Sequence, residues 1–75
     1  MDDKEYLKKI GIKLKVLRSL KGLSQDDVAN QLDVDKSYYS KIERGLTNPS
    51  ILYLRHISNL YAITLSELVD SNISF

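Results

Sequence analysis

The stretch from Leu23 to Gly45, LSQDDVANQLDVDKSYYSKIERG, predicts two short helices joined by a turn of about three or four residues. Ser24 is placed to accept a hydrogen bond from the free amides at the start of the first helix, and Asp35 can do the same for the second. Gly45 supplies a left-handed residue where the second helix should end. The stretch therefore predicts a tight helix pair with defined starts and a defined stop.

Apolar side chains recur at helical spacing in both helices, so each helix has one side that can be buried. These residues are Val28, Ala29, Leu32, Val34, Tyr39 and Ile42. The remaining side of the second helix carries lysine, serine and tyrosine. We therefore expect this polar side to face outward.

Three further helices are predicted around this pair. Apolar residues repeat every three or four positions over about Lys4–Leu20, and Gly22 follows as a stop. A similar pattern covers about Ile51–Tyr61, with Ser50 placed to cap it. Its expected inner positions are Ile51, Leu54, Ile57, Ser58 and Tyr61. Thr64–Glu67 is a capping box that opens a last helix, which should end near residue 70 or 71.

No strand pattern, internal repeat or linker interrupts these helices. The sequence therefore predicts an all-α fold, a compact five-helix bundle in which residues 1–75 form a single domain with a core of about 5–71.

Composition narrows the class of protein. The chain has 75 residues, a net charge of +1 and no cysteine, so disulfides and thiolate metal sites are excluded. It has no apolar run of membrane-spanning length, no signal peptide at its charged N-terminus, and no catalytic or phosphate-loop motif. His56 has no second ligand at metal-binding spacing. We expect no enzymatic activity, no cofactor and no metal.

The positive charge is concentrated in the first third of the chain. Between Tyr6 and Gln25 the sequence holds six basic residues and no acidic one. They are Lys8, Lys9, Lys13, Lys15, Arg18 and Lys21. Such a distribution favours nucleic-acid binding, although a solvated lysine-rich helix surface is the simpler alternative for any one lysine.

The sequence resembles the phage-repressor and Cro-like family of helix-turn-helix proteins, also called the XRE type. The matching positions are Gly11, Arg18, Leu23-Ser24-Gln25, Ala29, Ile42-Glu43-Arg44-Gly45, Asn48-Pro49-Ser50 and Leu65-Ser66-Glu67-Leu68. The run from Lys36 to Gly45 is similar to that of restriction-modification controller proteins. The resemblance implies a lambda-repressor-like fold, double-stranded DNA as partner, and the bacterial or phage cytoplasm.

The resemblance also implies that the second helix of the pair enters the major groove, where each base pair shows a distinct set of donors and acceptors. Lysine can donate to guanine, so Lys36 and Lys41 are the predicted principal readers. Ser37 and Ser40 can donate or accept and are secondary readers. Exposure without a DNA role is the alternative for each.

Other residues are expected to contact the DNA backbone or to brace the helices. Gln25 matches a glutamine that braces a phosphate in relatives, and Tyr38 should lie on the DNA side. Tyr39 should be buried with its hydroxyl hydrogen-bonded. Arg18 and Glu43 match a structural ion pair. The remaining phosphate candidates are Lys21, Arg44, Thr47, Asn48 and Ser50.

Three positions depart from the family pattern. Asp33 and Ala62 stand where relatives often have glycine, and Leu46 stands where they are often basic. A left-handed alanine costs roughly 1 kcal/mol, so we expect the helix before Ala62 to end differently.

Several apolar residues fall outside the expected core and predict a symmetric homodimer through the last helix and tail. The dimer would place two reading helices about 34 Å apart, one turn of DNA. The predicted interface residues are Leu52, Leu60, Val69, Ile73 and Phe75. Scattered exposed apolar side chains are the alternative.

These features predict a sequence-specific transcriptional regulator that binds a pseudo-palindromic operator. A protein that occupies a promoter would repress transcription, whereas activation would need a contact with RNA polymerase. The sequence does not choose between repression and activation. The alternative is an antitoxin-type protein-interaction module with secondary DNA binding. Such modules usually carry an added toxin-neutralising segment, whereas only about five residues follow the last helix here.

Overall fold

Five helices follow one another along the chain in a computed structural model that describes residues 1–71. They are α1 (Asp3–Leu20), α2 (Gln25–Leu32), α3 (Lys36–Glu43), α4 (Ile51–Leu60) and α5 (Leu65–Val69). No strand occurs within the described residues, which confirms the all-α prediction. None of these helices combines the length and the apolar character that crossing a bilayer requires.

Each helix begins at a side chain that accepts a hydrogen bond from an amide of the first turn. Ser24, Asp35, Ser50 and Thr64 do so as predicted, and Asp2 caps α1 in the same way. Because these bonds join residues two or three positions apart, the starts are set by local sequence.

The first four helices each end at a left-handed residue. These residues are Gly22, Asp33, Gly45 and Ala62. The expectation that α4 would end differently is wrong, since Ala62 has a φ of 57°. The amide of Ile63 donates to the carbonyl of Ser58 at 3.1 Å, which satisfies the end of α4 despite the unfavourable alanine.

The core takes one fully buried side chain from each helix. In chain order they are Leu14, Val28, Tyr39, Ile57 and Leu68. Helix α3 lies against α1 and α2, while α5 lies against α1 and α4. Leu54, Ile57, Ser58 and Tyr61 are buried as predicted, but Ile51 is 70% exposed. Ile51 is the first residue of α4, where the helix extends past the edge of the core.

Two glycines let α1 touch the end of α3 at backbone distance. A Cβ atom added at Gly45 would lie 2.8 Å from both the Cα and the N of Lys8, and Gly45 also has a φ of 71°. A Cβ added at Gly11 would overlap the carbonyl of Glu43. The C-terminal end of α3 is therefore held directly on α1.

Candidate nucleic-acid interface

The polar side of α3 faces away from the bundle. At about 100° per residue, the positions on this side cover an arc of about 140°. They are Lys36, Ser40, Arg44, Ser37 and Lys41. All are exposed except Ser40, which is half-buried. The opposite side of α3 buries Tyr39, Ile42 and Glu43.

The N-terminal end of this side is organised by two aspartates. The hydroxyl of Ser37 donates to Asp35 Oδ2 at 2.9 Å. The ammonium of Lys36 lies 3.4 Å from Asp26 Oδ2 on α2, and both side chains are more than half exposed. A pair this exposed is worth less than about 1 kcal/mol, so Lys36 can leave Asp26 for another partner at little cost.

Glu43 joins α1, α2 and α3 through one carboxylate. Arg18 Nε lies 2.7 Å from Glu43 Oε2, and a second guanidinium nitrogen of Arg18 donates to Oε1 at 3.1 Å. Gln25 Nε2 donates to the same Oε1 at 3.0 Å. The Glu43 side chain is only 2% exposed. We call Arg18, Gln25 and Glu43 the Glu43 clasp.

The clasp keeps its charges. Burial acts to raise the pKa of Glu43, but hydrogen bonds outweigh it and leave the pKa below its ordinary value of 4.5. The donors are Arg18 and Gln25. The hydrogen bond to Glu43 raises the pKa of Arg18. Arg18 and Glu43 therefore form a charged, hydrogen-bonded pair within the clasp at neutral pH, and loss of one of them would leave the charge of the other buried.

The clasp continues into the core through two tyrosines. Tyr39 is fully buried, as predicted, and its hydroxyl lies 2.6 Å from the hydroxyl of Tyr61. Burial raises the pKa of Tyr39, and its hydrogen bond with Tyr61 raises the pKa further. Both hydroxyls thus stay protonated and link α3 to the end of α4. Sequence periodicity placed Tyr61 inward but could not pair it with Tyr39.

Two predicted DNA contacts have other partners in the structure. The side-chain amide of Gln25 is half-buried and donates to Glu43, so a phosphate contact by Gln25 stays a prediction. Tyr38 is half-buried and packs edge-on against Tyr53, with ring centroids 5.1 Å apart, and its place on the DNA side likewise stays a prediction. Its ring therefore joins α3 to α4. Burial raises the pKa of Tyr53 to about 12.

One lysine of the predicted basic surface is buried. Lys13 is 7% exposed, and its ammonium donates to the backbone carbonyls of Glu67 and Asp70 at the end of α5. A cation there satisfies carbonyls that the helix leaves without partners. The sequence held a signal for this burial, because Lys13 lies three residues after Ile10 and four before Leu17 on the apolar stripe of α1.

The remaining phosphate candidates lie at the surface. Lys21, Arg44, Asn48 and Ser50 are exposed, and Thr47 is half-buried. Ser50 Oγ accepts from the amide of Tyr53 at 3.1 Å, which leaves its own proton available to donate.

The predicted dimer residues do not form one patch. Leu52 is 57% exposed. Val69 lines a hollow together with Tyr6, Leu7 and Ile51, whereas Leu60 lines a different hollow. Ile73 and Phe75 lie outside the described residues. We call the hollow that Val69 shares with Tyr6, Leu7 and Ile51 the apolar hollow.

Comparison with known proteins identifies the family. The sequence profile of a helix-turn-helix family, HTH_3, matches residues 12–68. The chain belongs to this helix-turn-helix family. The control protein C.MunI from a Mycoplasma species is 51% identical to it over 61 residues, which cover 80% of this chain and 82% of C.MunI.

Two further relatives agree with this assignment. The HTH-type transcriptional regulator SinR of Bacillus subtilis is 42% identical over 62 residues, and the match spans 56% of SinR. The structure of the restriction-modification controller protein C.AhdI from Aeromonas hydrophila superposes with a TM-score of 0.77 at 37% identity, covering 83% of this chain and 94% of that one. The predicted XRE-type resemblance is confirmed.

Replacing Glu43 with glutamine should make the free energy of unfolding depend less on pH in acid. Because the folded-state pKa of Glu43 lies below its ordinary value of 4.5, its contribution is complete above that pH and is lost as the pH falls through the folded-state pKa. We expect Glu43→Gln to unfold more easily at pH 7, by roughly 1–3 kcal/mol, because an ionic hydrogen bond is lost. The difference should shrink at pH 3. Urea titrations at pH 7, 5 and 3 measure this, and a constant difference at all three would contradict it.

Proposed function

We propose that this protein is a sequence-specific DNA-binding transcriptional regulator that binds a pseudo-palindromic operator as a homodimer, with α3 of each subunit in the major groove. The observation that carries the proposal is the division of α3. One side presents Lys36 and Lys41 to solvent, while the other is fixed by Tyr39 and the Glu43 clasp.

The dimensions of α3 suit this role. A helix with its side chains is about 10–12 Å across, and the major groove is about 12 Å wide. Lys36 and Lys41 are the proposed principal base readers, since a lysine ammonium can donate to guanine O6 and N7. Ser37 and Ser40 lie between them on the same arc and are secondary readers.

The surrounding polar residues would position α3 rather than specify sequence. Amides at the start of α2 and the surface side chains around α3 can donate to phosphate oxygens. The proposed backbone contacts are Lys21, Gln25, Arg44, Thr47, Asn48 and Ser50. Each phosphate that a cation neutralises makes the slope of log affinity against log salt more negative by about 0.9. Binding should therefore weaken steeply as the salt concentration rises.

The proposed dimer uses α5 and the start of α4. Ile51 and Leu52 are 70% and 57% exposed, which is unusual for adjacent large apolar residues, and Ile51 shares the apolar hollow with Val69. Burying this surface against a second copy would remove it from water. Leu60 lies in another hollow and is left out of this interface.

The relatives suggest what is controlled. Because C.MunI is a control protein and C.AhdI a restriction-modification controller protein, we propose that this chain regulates transcription of a restriction-modification system. Occupying the promoter would repress, and a contact with RNA polymerase would activate.

Selection of bound duplexes from random DNA tests the reading helix. The wild type should enrich a two-fold symmetric sequence. Lys36→Ala and Lys41→Ala should each lose preference at one base position per half-site, with the discrimination there falling by about 1–3 kcal/mol. Lys9→Ala, an exposed lysine on α1, should keep every preference. If Lys36→Ala and Lys41→Ala select the same DNA sequence as the wild type, Lys36 and Lys41 do not read bases.

Sedimentation without DNA tests the dimer. The wild type should sediment as a dimer at tens of micromolar, and Ile51→Glu and Leu52→Glu should shift it to monomer. A carboxylate is favourable at the first turn of a helix, so these variants should stay folded. Ile12→Glu is the control, because Ile12 is 61% exposed on α1. A monomeric wild type, or equal effects of all three variants, would refute the interface.

A further inference from the structure

A basic groove lies beside the C-terminal end of α3. It has a volume of about 490 Å³ and is formed by one turn of α1 and the loop after α3. The lining residues are Lys4, Leu7, Lys8, Gly45, Leu46, Thr47 and Asn48. The two lysines are exposed, and the loop adds the Thr47 hydroxyl and the Asn48 amide. The charged side chains that line the groove are therefore all positive, and they lie beside two neutral polar side chains and the apolar Leu7 and Leu46.

The position of Lys8 relative to α3 is fixed by backbone contact. A Cβ at Gly45 would lie 2.8 Å from Lys8 Cα, so α1 and the end of α3 touch without an intervening side chain. Lys4 and Lys8 are four residues apart and thus lie on one side of α1. Moving α3 would move this side of α1 with it.

The charges of the groove are available to a ligand. Within residues 1–71, the side-chain ion pairs are Arg18–Glu43 and Lys36–Asp26, and neither involves Lys4 or Lys8. The nearest carboxylates in sequence are those of Asp3 and Glu5. These lie about 100° to either side of Lys4 around the helix, away from the direction that Lys4 and Lys8 share.

The proposed docking of α3 brings a DNA strand to this groove. In a helix-turn-helix complex the N-terminal residues of the second helix contact base edges, which leaves the C-terminal end of that helix and the loop after it to face the sugar-phosphate backbone. The basic groove lies at the C-terminal end of α3, next to Arg44 and Gly45. We propose that Lys4 and Lys8, with Thr47 and Asn48, bind the phosphodiester backbone of the operator there. This inference rests on the proposed function and extends the DNA contact from the helix-turn-helix to α1.

Salt-dependent binding tests the inference. The probe is a duplex of the wild-type selected sequence, and its affinity is measured by fluorescence anisotropy over a four-fold range of potassium chloride. Lys8→Gln should make the slope of log affinity against log salt less negative by about 0.9 for each subunit, and Lys4→Gln with Lys8→Gln should make it less negative by up to about 1.8. The base preferences of both variants should match the wild type.

Lys9→Gln is the matched control, because it removes the same charge from an exposed neighbour that does not line the groove. Its slope should equal that of the wild type, and all variants should keep the wild-type thermal midpoint. If Lys8→Gln and Lys9→Gln change the slope equally, or neither changes it, the groove inference is overturned while the proposed function stands. If the wild type binds no duplex with sequence preference, the proposed function itself fails.

Discussion

The carboxylate of Glu43 is the constraint on which the arrangement of the first three helices depends. It is almost fully buried and receives hydrogen bonds from Arg18 on α1 and Gln25 on α2. A charge in this position is tolerated only while its donors are in place. The three helices therefore share one geometry, and a shift of α3 relative to α1 or α2 would leave a buried charge without compensation.

This constraint divides α3 into a fixed side and a presented side. Glu43 and Tyr39 hold the buried side, with Tyr61 extending the polar network to α4. The close contacts at Gly11 and Gly45 hold the same helix on α1 through its backbone. Lys36 and Lys41 then project from a support that has little freedom to turn. A helix whose backbone is already fixed loses less entropy on binding than a mobile one, which favours selective recognition of a DNA groove.

Features set by neighbouring residues could be predicted, and those set by distant contacts could not. The caps at Ser24, Asp35, Ser50 and Thr64 join residues two or three positions apart, and the outward side of α3 follows from helical spacing alone. The apolar stripe of α1 includes Lys13, but its partners are carbonyls at the end of α5, more than 50 residues away. The edge-on contact of Tyr38 with Tyr53 likewise joins two helices that local spacing does not relate. Ile51 shows a further limit, since periodicity gives the direction of a side chain but not where the core ends. The DNA roles of the site residues remain predictions.

A double-mutant cycle on Arg18 and Glu43 tests the central claim most directly. The free energy of unfolding in urea is measured at pH 7 for the wild type, Arg18→Ala, Glu43→Ala and the double variant. If the clasp holds the helices together, the two losses should fail to add by about 1–3 kcal/mol, because the second substitution removes a group already left unpaired. Losses that add to within about 0.3 kcal/mol would show that the two residues act independently, and would contradict the account.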